Sequence, residues 1–277
     1  LNQGRLMSEV GLVALAMTFV IVTGGIDLSV GSILGLTAIL LGVFWKNLGL
    51  PLPAAIVLAM ACGTFAGWVN GWIITRFNVP PLIATLATLA LYRGLAEGIS
   101  EARSVRGYPE WFFFFGQGEV LGVPFQLWIL GIATVVAAVI LGLTPFGRAT
   151  YAIGANEVAA RFSGIRVNAT KLWIYSAAGF LSALAAVIFV SRVTTTRSDM
   201  GTGLELDVIT GVVLGGTSIF GGRGTIIGTV LGLILIQALK NGLALSGVKG
   251  DGTIVVIGLV LIGAILVGAL FDRNRGG

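Results

Sequence analysis

The chain has 277 residues, of which 56% are hydrophobic and 10% are charged, with a net charge of +5. An ordinary soluble domain carries about 25% charged residues, so this chain has too few charges to cover a water-facing surface. The composition excludes a soluble globular protein and predicts that lipid is the solvent for most of the chain. Anionic lipid explains the small positive charge better than nucleic acid does, so we expect membrane lipid and no nucleic acid among the partners.

Charged residues divide the sequence into long uncharged segments. Nine such segments follow one another along the chain: 10–26, 28–45, 47–75, 77–92, 120–147, 172–191, 208–222, 224–239 and 252–271. A membrane-spanning helix needs about 20 apolar residues and rarely fewer than about 17. Six segments reach that length. The segments 77–92, 208–222 and 224–239 are shorter, so they either recruit flanking charged residues that snorkel or form broken helices lining a cavity.

The pattern predicts an all-α, polytopic transmembrane helical bundle with broken helices and about nine membrane segments, forming one domain over residues 1–277. Solid apolar blocks argue against a β-barrel, whose strands alternate apolar and polar residues. The chain begins at Leu1 and soon enters an apolar segment, which suggests that a first helix is missing upstream.

Asp27 interrupts apolar sequence in TGGIDLSVGS at residues 23–32, between two uncharged segments. An acidic residue at membrane depth is costly and is by default a functional hypothesis. The preceding glycines permit an unwound backbone, and either Asp27 or Ser29 could cap the helix that follows. A structural cap and a role in a substrate pathway both remain open, since a broken helix can combine them.

A polar stripe follows on an otherwise apolar helix. Thr85, Thr88 and Tyr92 recur at spacings of three and four residues, and Asn70 is nearby in sequence. Hydroxyl and amide groups suit a path for a polyhydroxylated solute, which needs hydrogen-bond donors and acceptors more than full charges. The alternative is interhelical hydrogen bonding. We favour the pathway for this group as a whole, and Asp27 and Ser29 are candidates for the same pathway.

Glycines recur every four residues in two places, at Gly63, Gly67 and Gly71 and again at Gly224, Gly228 and Gly232. This spacing places each set on one helix face, where a second backbone can approach closely. The spacing therefore predicts two close helix–helix contacts.

Polar segments connect the apolar blocks. Residues 147–171 are helix-compatible and carry Glu157 and Arg161 one turn apart, which predicts an ion pair on a helix surface. In residues 192–207, Thr202 and Glu205 have capping-box spacing and predict a helix starting at Gly203. A second glycine-rich break, GGTSIFGGRG, occupies residues 215–224.

Several kinds of chemistry are missing from the sequence. There is no histidine and only one cysteine, and the acids are not grouped, so we expect no metal site. The sequence lacks a G-x-x-x-x-G-K-[ST] phosphate-binding loop. We therefore expect that the chain is not an enzyme, binds no cofactor, and depends on another polypeptide for any use of ATP.

Three motifs resemble the permease family of ribose, xylose and autoinducer-2 type ABC importers. They are TGGIDLSVGS at 23–32, AIGANEVAARFSGI at 152–165, and GTGLELDVITGVVLGGTSIFGGRGTIIGTVLG at 201–232. The resemblance runs through essentially all 277 residues in order. It implies about ten helices per subunit, of which this chain lacks the first.

The resemblance also implies a bacterial inner-membrane location and three protein partners. These are a cytoplasmic ABC ATPase, a periplasmic or tethered solute-binding protein, and a second permease that is the same chain or a paralogue. Residues 147–171 would form the cytoplasmic coupling-helix loop that docks into the ATPase. The positions implied to face the ATPase are Gly154, Asn156, Glu157, Ala160, Arg161 and Gly164.

The GGIDLSVG segment resembles the sugar branch of the family, so the expected cargo is a monosaccharide or an autoinducer-2-like sugar derivative. Nucleoside importers share the broad family and remain an alternative. Two readings from other classes also remain: an ion-coupled secondary transporter with Asp27 as its ion or proton site, and a non-transporting scaffold or receptor, which predicts neither a polar stripe nor broken helices.

Overall fold

The computed structural model describes residues 2–101, 103–248 and 250–273. Helices dominate this part of the chain, and the only strands in it form a short hairpin. The elements are α1 (Asn2–Val22), α2 (Val30–Gly42) with a π-helical turn (Val43–Asn47), α3 (Leu52–Phe77), α4 (Pro81–Ser100), α5 (Glu110–Gln117), β1 (Glu119–Val120), β2 (Val123–Pro124), α6 (Phe125–Leu143), α7 (Pro145–Ala155), α8 (Glu157–Phe162), α9 (Val167–Val193), α10 (Leu204–Leu214), α11 (Ile226–Leu245) and α12 (Gly250–Arg273). The predicted all-α class is confirmed.

Seven helices in the described ranges are long and apolar enough to span a membrane, so the chain is a multi-pass membrane protein. They are α1, α2 with its π-helical turn, α3, α4, α6, α9 and α11. Two of the short uncharged segments gain length from charged neighbours: α4 runs past Arg93 and Glu97, and α11 runs past Lys240. The third, 208–222, forms only the 11-residue α10 followed by a glycine-rich loop. The last segment, 252–271, lies within α12, in which 252–266 form a shorter apolar helix.

The most extensive helix–helix packing in the described part of the chain is between α3 and α9. Gly63, Gly67 and Gly71 of α3 all lie against the α9 backbone or its first side-chain atoms, as their spacing predicted. Residue numbers increase along α3 while those of the facing residues on α9 decrease, so the two helices are antiparallel. In the second glycine set only Gly228 and Gly232 form a row, against Gly215 and Gly211; Gly224 precedes α11 and contacts Thr217.

Antiparallel packing gives the bundle two distinct ends. We call the one at which α8 lies the α8 end, and the opposite one the far end. Both glycine-rich breaks lie at the α8 end and contact each other, since a Cβ on Gly221 would lie 2.9 Å from the amide nitrogen of Gly24. The Gly222 amide also donates a hydrogen bond to the carbonyl oxygen of Val22, at the end of α1, at 2.8 Å. The segment 147–171 is also there, and it comprises α8, most of α7 and the first turn of α9.

The predicted capping box at Thr202 is wrong. Gly203 has φ +80°, a left-handed conformation, and α10 begins one residue later, at Leu204. The turn points the Thr202 hydroxyl back to the carbonyl oxygen of Asp199, to which it donates at 2.7 Å. Glu205 keeps half of the expected arrangement, since its Oε1 accepts from the Gly203 amide at 3.3 Å.

Candidate functional site

Asp27 is fully buried in the break between α1 and α2. Its Oδ1 accepts two hydrogen bonds from Ser29, one from the backbone amide at 2.9 Å and one from Oγ at 2.7 Å. The expected cap on α2 is absent, because neither side chain bonds to an amide in the first turn of that helix. Asp27 instead closes a local turn, which holds the unwound segment in one shape.

Hydrogen bonds extend from this turn to two further helices. Asn70 of α3 donates from Nδ2 to Ser29 Oγ at 2.7 Å. The Tyr92 hydroxyl of α4 donates to the carbonyl oxygen of Ala66 at 2.9 Å and lies 3.3 Å from Asn70 Oδ1. Asp27, Ser29, Asn70 and Tyr92, which are spread over 66 positions, therefore form one connected polar cluster.

The two threonines of the stripe contribute unequally. Thr85 Oγ1 lies 2.9 Å from the carbonyl oxygen of Pro81 in its own helix and 3.1 Å from that of Ile26, so its single hydrogen is shared between α4 and the break. Thr88 Oγ1 bonds only within its own helix, to Thr85 O at 3.3 Å. Each of the six predicted pathway residues is at most 5% exposed. The cluster is thus a buried joint between α2, α3 and α4, and its pathway role stays a prediction.

Two oxygen atoms beside the cluster are buried and have no hydrogen-bond partner among the described residues: Asp27 Oδ2 and the Tyr175 hydroxyl of α9. The Tyr175 hydroxyl lies 2.6 Å from the position that a Cβ on Gly25 would occupy, which places it against the break. Sequence reasoning missed Tyr175. The sequence feature that could have indicated this residue is that it is the single tyrosine inside the uncharged segment 172–191. A buried polar atom without a hydrogen-bond partner destabilises the fold. These two atoms therefore have unused capacity for hydrogen bonds to another group that enters this site.

At the α8 end, the predicted pair of Glu157 and Arg161 is confirmed at 2.7 Å. Lys171 from α9 binds the other carboxylate oxygen at 2.6 Å, so Glu157 holds α8 to the bundle. Partial burial acts to raise the pKa of Glu157, but hydrogen bonds and charge from Lys171 and Arg161 outweigh it and lower that pKa. Asn156 caps α8, because its Oδ1 accepts from the Ala159 amide at 2.9 Å.

Two of the positions implied to face an ATPase point inward instead. Ala160 is 4% exposed and packs in a small core with Ile153 and Val167. A Cβ on Gly154 would lie 1.7 Å from the Val22 carbonyl oxygen, so this glycine allows close contact with the end of α1. Gly164 is exposed and has φ +81°, which fits the turn between α8 and α9.

The exposed apolar face of α8 consists of Val158 and Phe162, which are one turn apart and 63% and 89% exposed. Arg161 lies beside them. The expected facing positions did not include either residue, although their helical spacing in the sequence was visible. Neighbouring exposed apolar side chains beside a charged residue, as on α8, are a typical feature of a protein-docking surface.

Comparisons with known proteins agree with this architecture. The family described as branched-chain amino acid transport system / permease component matches residues 5–270. The ribose import permease protein of Bacillus subtilis is 45% identical over 99% of this chain and 84% of its own length. The ribose import permease protein of Escherichia coli K12 is 42% identical over 90% of this chain and 78% of its own length. The autoinducer 2 import system permease protein of E. coli O9:H4 is 41% identical over 87% of this chain and 75% of its own length. No solved structure matches the chain.

Proposed function

The chain belongs to the permease-component family of branched-chain amino acid transport systems, and we propose that it is the membrane-spanning subunit of an ATP-driven, binding-protein-dependent importer. The cargo we propose is a monosaccharide or an autoinducer-2-like sugar derivative. The observation that carries the proposal is identity of 41–45% to permeases named for ribose and autoinducer-2 import, over at least 87% of this chain.

Coupling to ATP hydrolysis is assigned to α8. Val158 and Phe162 would enter an apolar recess on a cytoplasmic ATPase, and Arg161 would add a charge at the rim, since anchoring side chains carry most of the energy of such contacts. Glu157 would position α8 through Lys171 and would not act as the main contact. The contact between Glu157 and Lys171 supports this, because it joins α8 to α9. The preceding helix α7 is in turn packed against the end of α1 through Gly154.

The buried cluster around Asp27 is assigned to gating of the pathway. Its hydrogen bonds join three helices at an unwound segment, and such segments are where transporter helices bend around a substrate path. Rearrangement of α2 against α3 and α4 would break the bonds of Asn70 and Tyr92. The unpartnered Asp27 Oδ2 and Tyr175 hydroxyl would then have new donors or acceptors available.

Reconstitution in proteoliposomes tests the proposed function. The permease is assembled with its ATPase, a solute-binding protein and a second permease subunit of either kind, and uptake of radiolabelled D-ribose is followed with and without ATP. We expect uptake only when ATP, ATPase and binding protein are all present. Uptake driven by an ion gradient without ATP would support a secondary transporter, and ATP-driven uptake of nucleosides alone would replace the cargo class. No uptake under any condition would favour a scaffold or receptor.

A further inference from the structure

A cavity of about 710 Å³ lies at the far end, between α1, α9, α10 and α11, with the loop 194–203 as one wall. This loop follows the last residue of α9, a 27-residue helix about 40 Å long whose first turn is at the α8 end. The cavity is therefore remote from α8 and distinct from the Asp27 cluster. Small-molecule sites commonly have volumes of about 300–1,000 Å³.

The lining of this cavity is charged but electrically balanced. Arg192 forms a two-point ion pair with Glu9 at 2.7 and 3.0 Å. Lys240 pairs with Asp207, and Arg197 pairs with Asp199. The three cations and three carboxylates on the lining cancel. A charged solute would meet no uncompensated opposite charge, so the lining favours a neutral ligand.

These ion pairs still leave hydrogen-bonding capacity for a ligand. A guanidinium has five N–H donors, an ammonium has three, and a carboxylate has about four lone-pair positions. Each of the two-point contacts of Arg192 and Arg197 uses only part of that capacity. Charged donors and acceptors that line one space are complementary to a solute that presents several hydroxyls, each able both to donate and to accept.

An apolar side completes the lining. Phe189 contributes its ring, and the Arg192 guanidinium lies 4.9 Å from the centre of that ring. Leu6, Val10 and Met200 also line the space. The C–H faces of a sugar ring need apolar surface, while its rim hydroxyls need polar groups, and this cavity offers both.

The loop 194–203, which forms one wall of the cavity, is held by hydrogen bonds on its side away from the cavity. Arg93 of α4 donates from Nη1 to the carbonyl oxygens of Ser198 and Met200, the latter at 2.9 Å. The Thr196 amide donates to the Val105 carbonyl oxygen at 3.0 Å. A preorganised wall lowers the entropic cost of ligand binding.

We propose that this far-end cavity binds a neutral polyhydroxylated solute through the Glu9–Arg192 and Asp207–Lys240 pairs. This inference rests on the proposed function, because it supplies the cargo with a recognition site in the permease itself. The site would receive the solute before the Asp27 cluster opens.

The test is equilibrium binding of radiolabelled D-ribose and other neutral monosaccharides to the purified permease–ATPase complex in nanodiscs, without binding protein. Asp207→Asn keeps the shape of the side chain but removes its charge, and we expect binding to weaken at least about tenfold, as when a hydrogen bond to a charged group is lost. The double variant Asp207→Leu with Lys240→Met removes both charges and their hydrogen-bonding groups while keeping similar side-chain volume, a replacement that is often neutral for stability. We expect this variant to fold like the parent, by thermal melting, yet to bind the sugar as weakly as Asp207→Asn.

Glu119→Gln is the matched control, since it breaks an exposed far-end ion pair with Arg5 (3.0 Å) that does not line the cavity. The inference is overturned if the double variant Asp207→Leu with Lys240→Met binds the sugar like the parent, because the pair is then only structural. It is also overturned if L-leucine competes as well as D-ribose, or if the parent binds no monosaccharide. Failure of the proposed function would appear separately, in the proteoliposome assay. The unmodified permease, assembled with its ATPase and binding protein, would then show no ATP-driven uptake.

Discussion

Gly67 and Gly179 face each other where α3 crosses α9. A Cβ on Gly67 would lie 2.8 Å from the Cα of Gly179, and a Cβ on Gly179 would lie 2.9 Å from the Cα of Gly67. Neither position has room for a side chain, because the nearest atoms belong to backbone that cannot rotate away. The close backbone contact between α3 and α9 thus depends on two glycines 112 positions apart.

The first prediction follows from this contact. Gly67→Leu places a side chain 2.2 Å from the Tyr175 carbonyl oxygen, so the two helices must separate. Overpacking in a core costs about 1–3 kcal/mol, and a backbone clash lies at the upper end. We expect a lower melting temperature whether or not ligand is present. Gly131→Leu on α6 is the control, since a Cβ there meets nothing within 4 Å. Equal melting of the two variants would contradict the close contact.

The second prediction concerns Asp27. Asp27→Asn retains the Oδ1 that accepts from the Ser29 amide and hydroxyl, so we expect melting close to the parent. Asp27→Ala leaves the buried Ser29 amide unpaired and should cost about 1–3 kcal/mol. If the charge organises the gate, ATP-driven uptake falls in the asparagine variant while the ATPase remains bound.

Thr64→Val serves as the comparison for Asp27, because the Thr64 hydroxyl bonds only within α3, to Met60 O at 2.8 Å. We expect this variant to transport like the parent. Parental uptake by Asp27→Asn would show that Asp27 is a structural turn residue and would remove it from the pathway.

The third prediction addresses the α8 surface. Phe162→Ala removes a side chain that is 89% exposed, so the fold should be unaffected while affinity for the ATPase falls. Loss of an anchoring side chain from an interface costs about 2 kcal/mol or more, equivalent to about thirtyfold in dissociation constant. Leu121→Ala is the control, with 88% exposure at the far end. Unchanged ATPase binding by Phe162→Ala would exclude α8 as the docking surface.

The ion pair on α8 gives a related prediction. Replacing Glu157 and Arg161 together by alanine removes the bonds to Lys171 and Asn168 as well as the pair itself. We expect the permease to fold and ATP hydrolysis to become uncoupled from uptake, because α8 loses its fixed position on the bundle. Measuring both rates in one preparation decides this, and normal uptake would refute the coupling role.

The fifth prediction is a pH dependence. The pKa of Glu157 is lowered in the folded chain, because Lys171 and Arg161 outweigh the opposing effect of partial burial. A lowered pKa means that folding favours the ionised form, so this stabilisation is complete above the ordinary glutamate pKa of about 4.3 and is lost as the pH falls below it. The difference in melting temperature between parent and Glu157→Gln should therefore be constant near neutral pH and shrink toward pH 3. A difference that grows with acid would contradict the ion-pair assignment.

Local sequence sufficed for the helices and for contacts within one turn. Seven of the nine uncharged segments correspond to helices long enough to span a membrane, because a helix in lipid must satisfy its backbone hydrogen bonds within its own segment. The Glu157–Arg161 pair and the face on which Gly67 lies followed from helix periodicity, because residues three and four apart share one face. Each of these features depends on residues close together in the chain.

Only the tertiary structure decided which residues meet across the bundle. It joined Asp27 through Ser29 to Asn70 and Tyr92, buried Ala160, and brought Glu9 to Arg192 across 183 positions. A left-handed Gly203 also moved the start of α10 away from the position that the capping pattern predicted. Spacing along one helix fixes which side chains share a face, but the neighbour of that face depends on how all the helices pack together, which no single segment encodes.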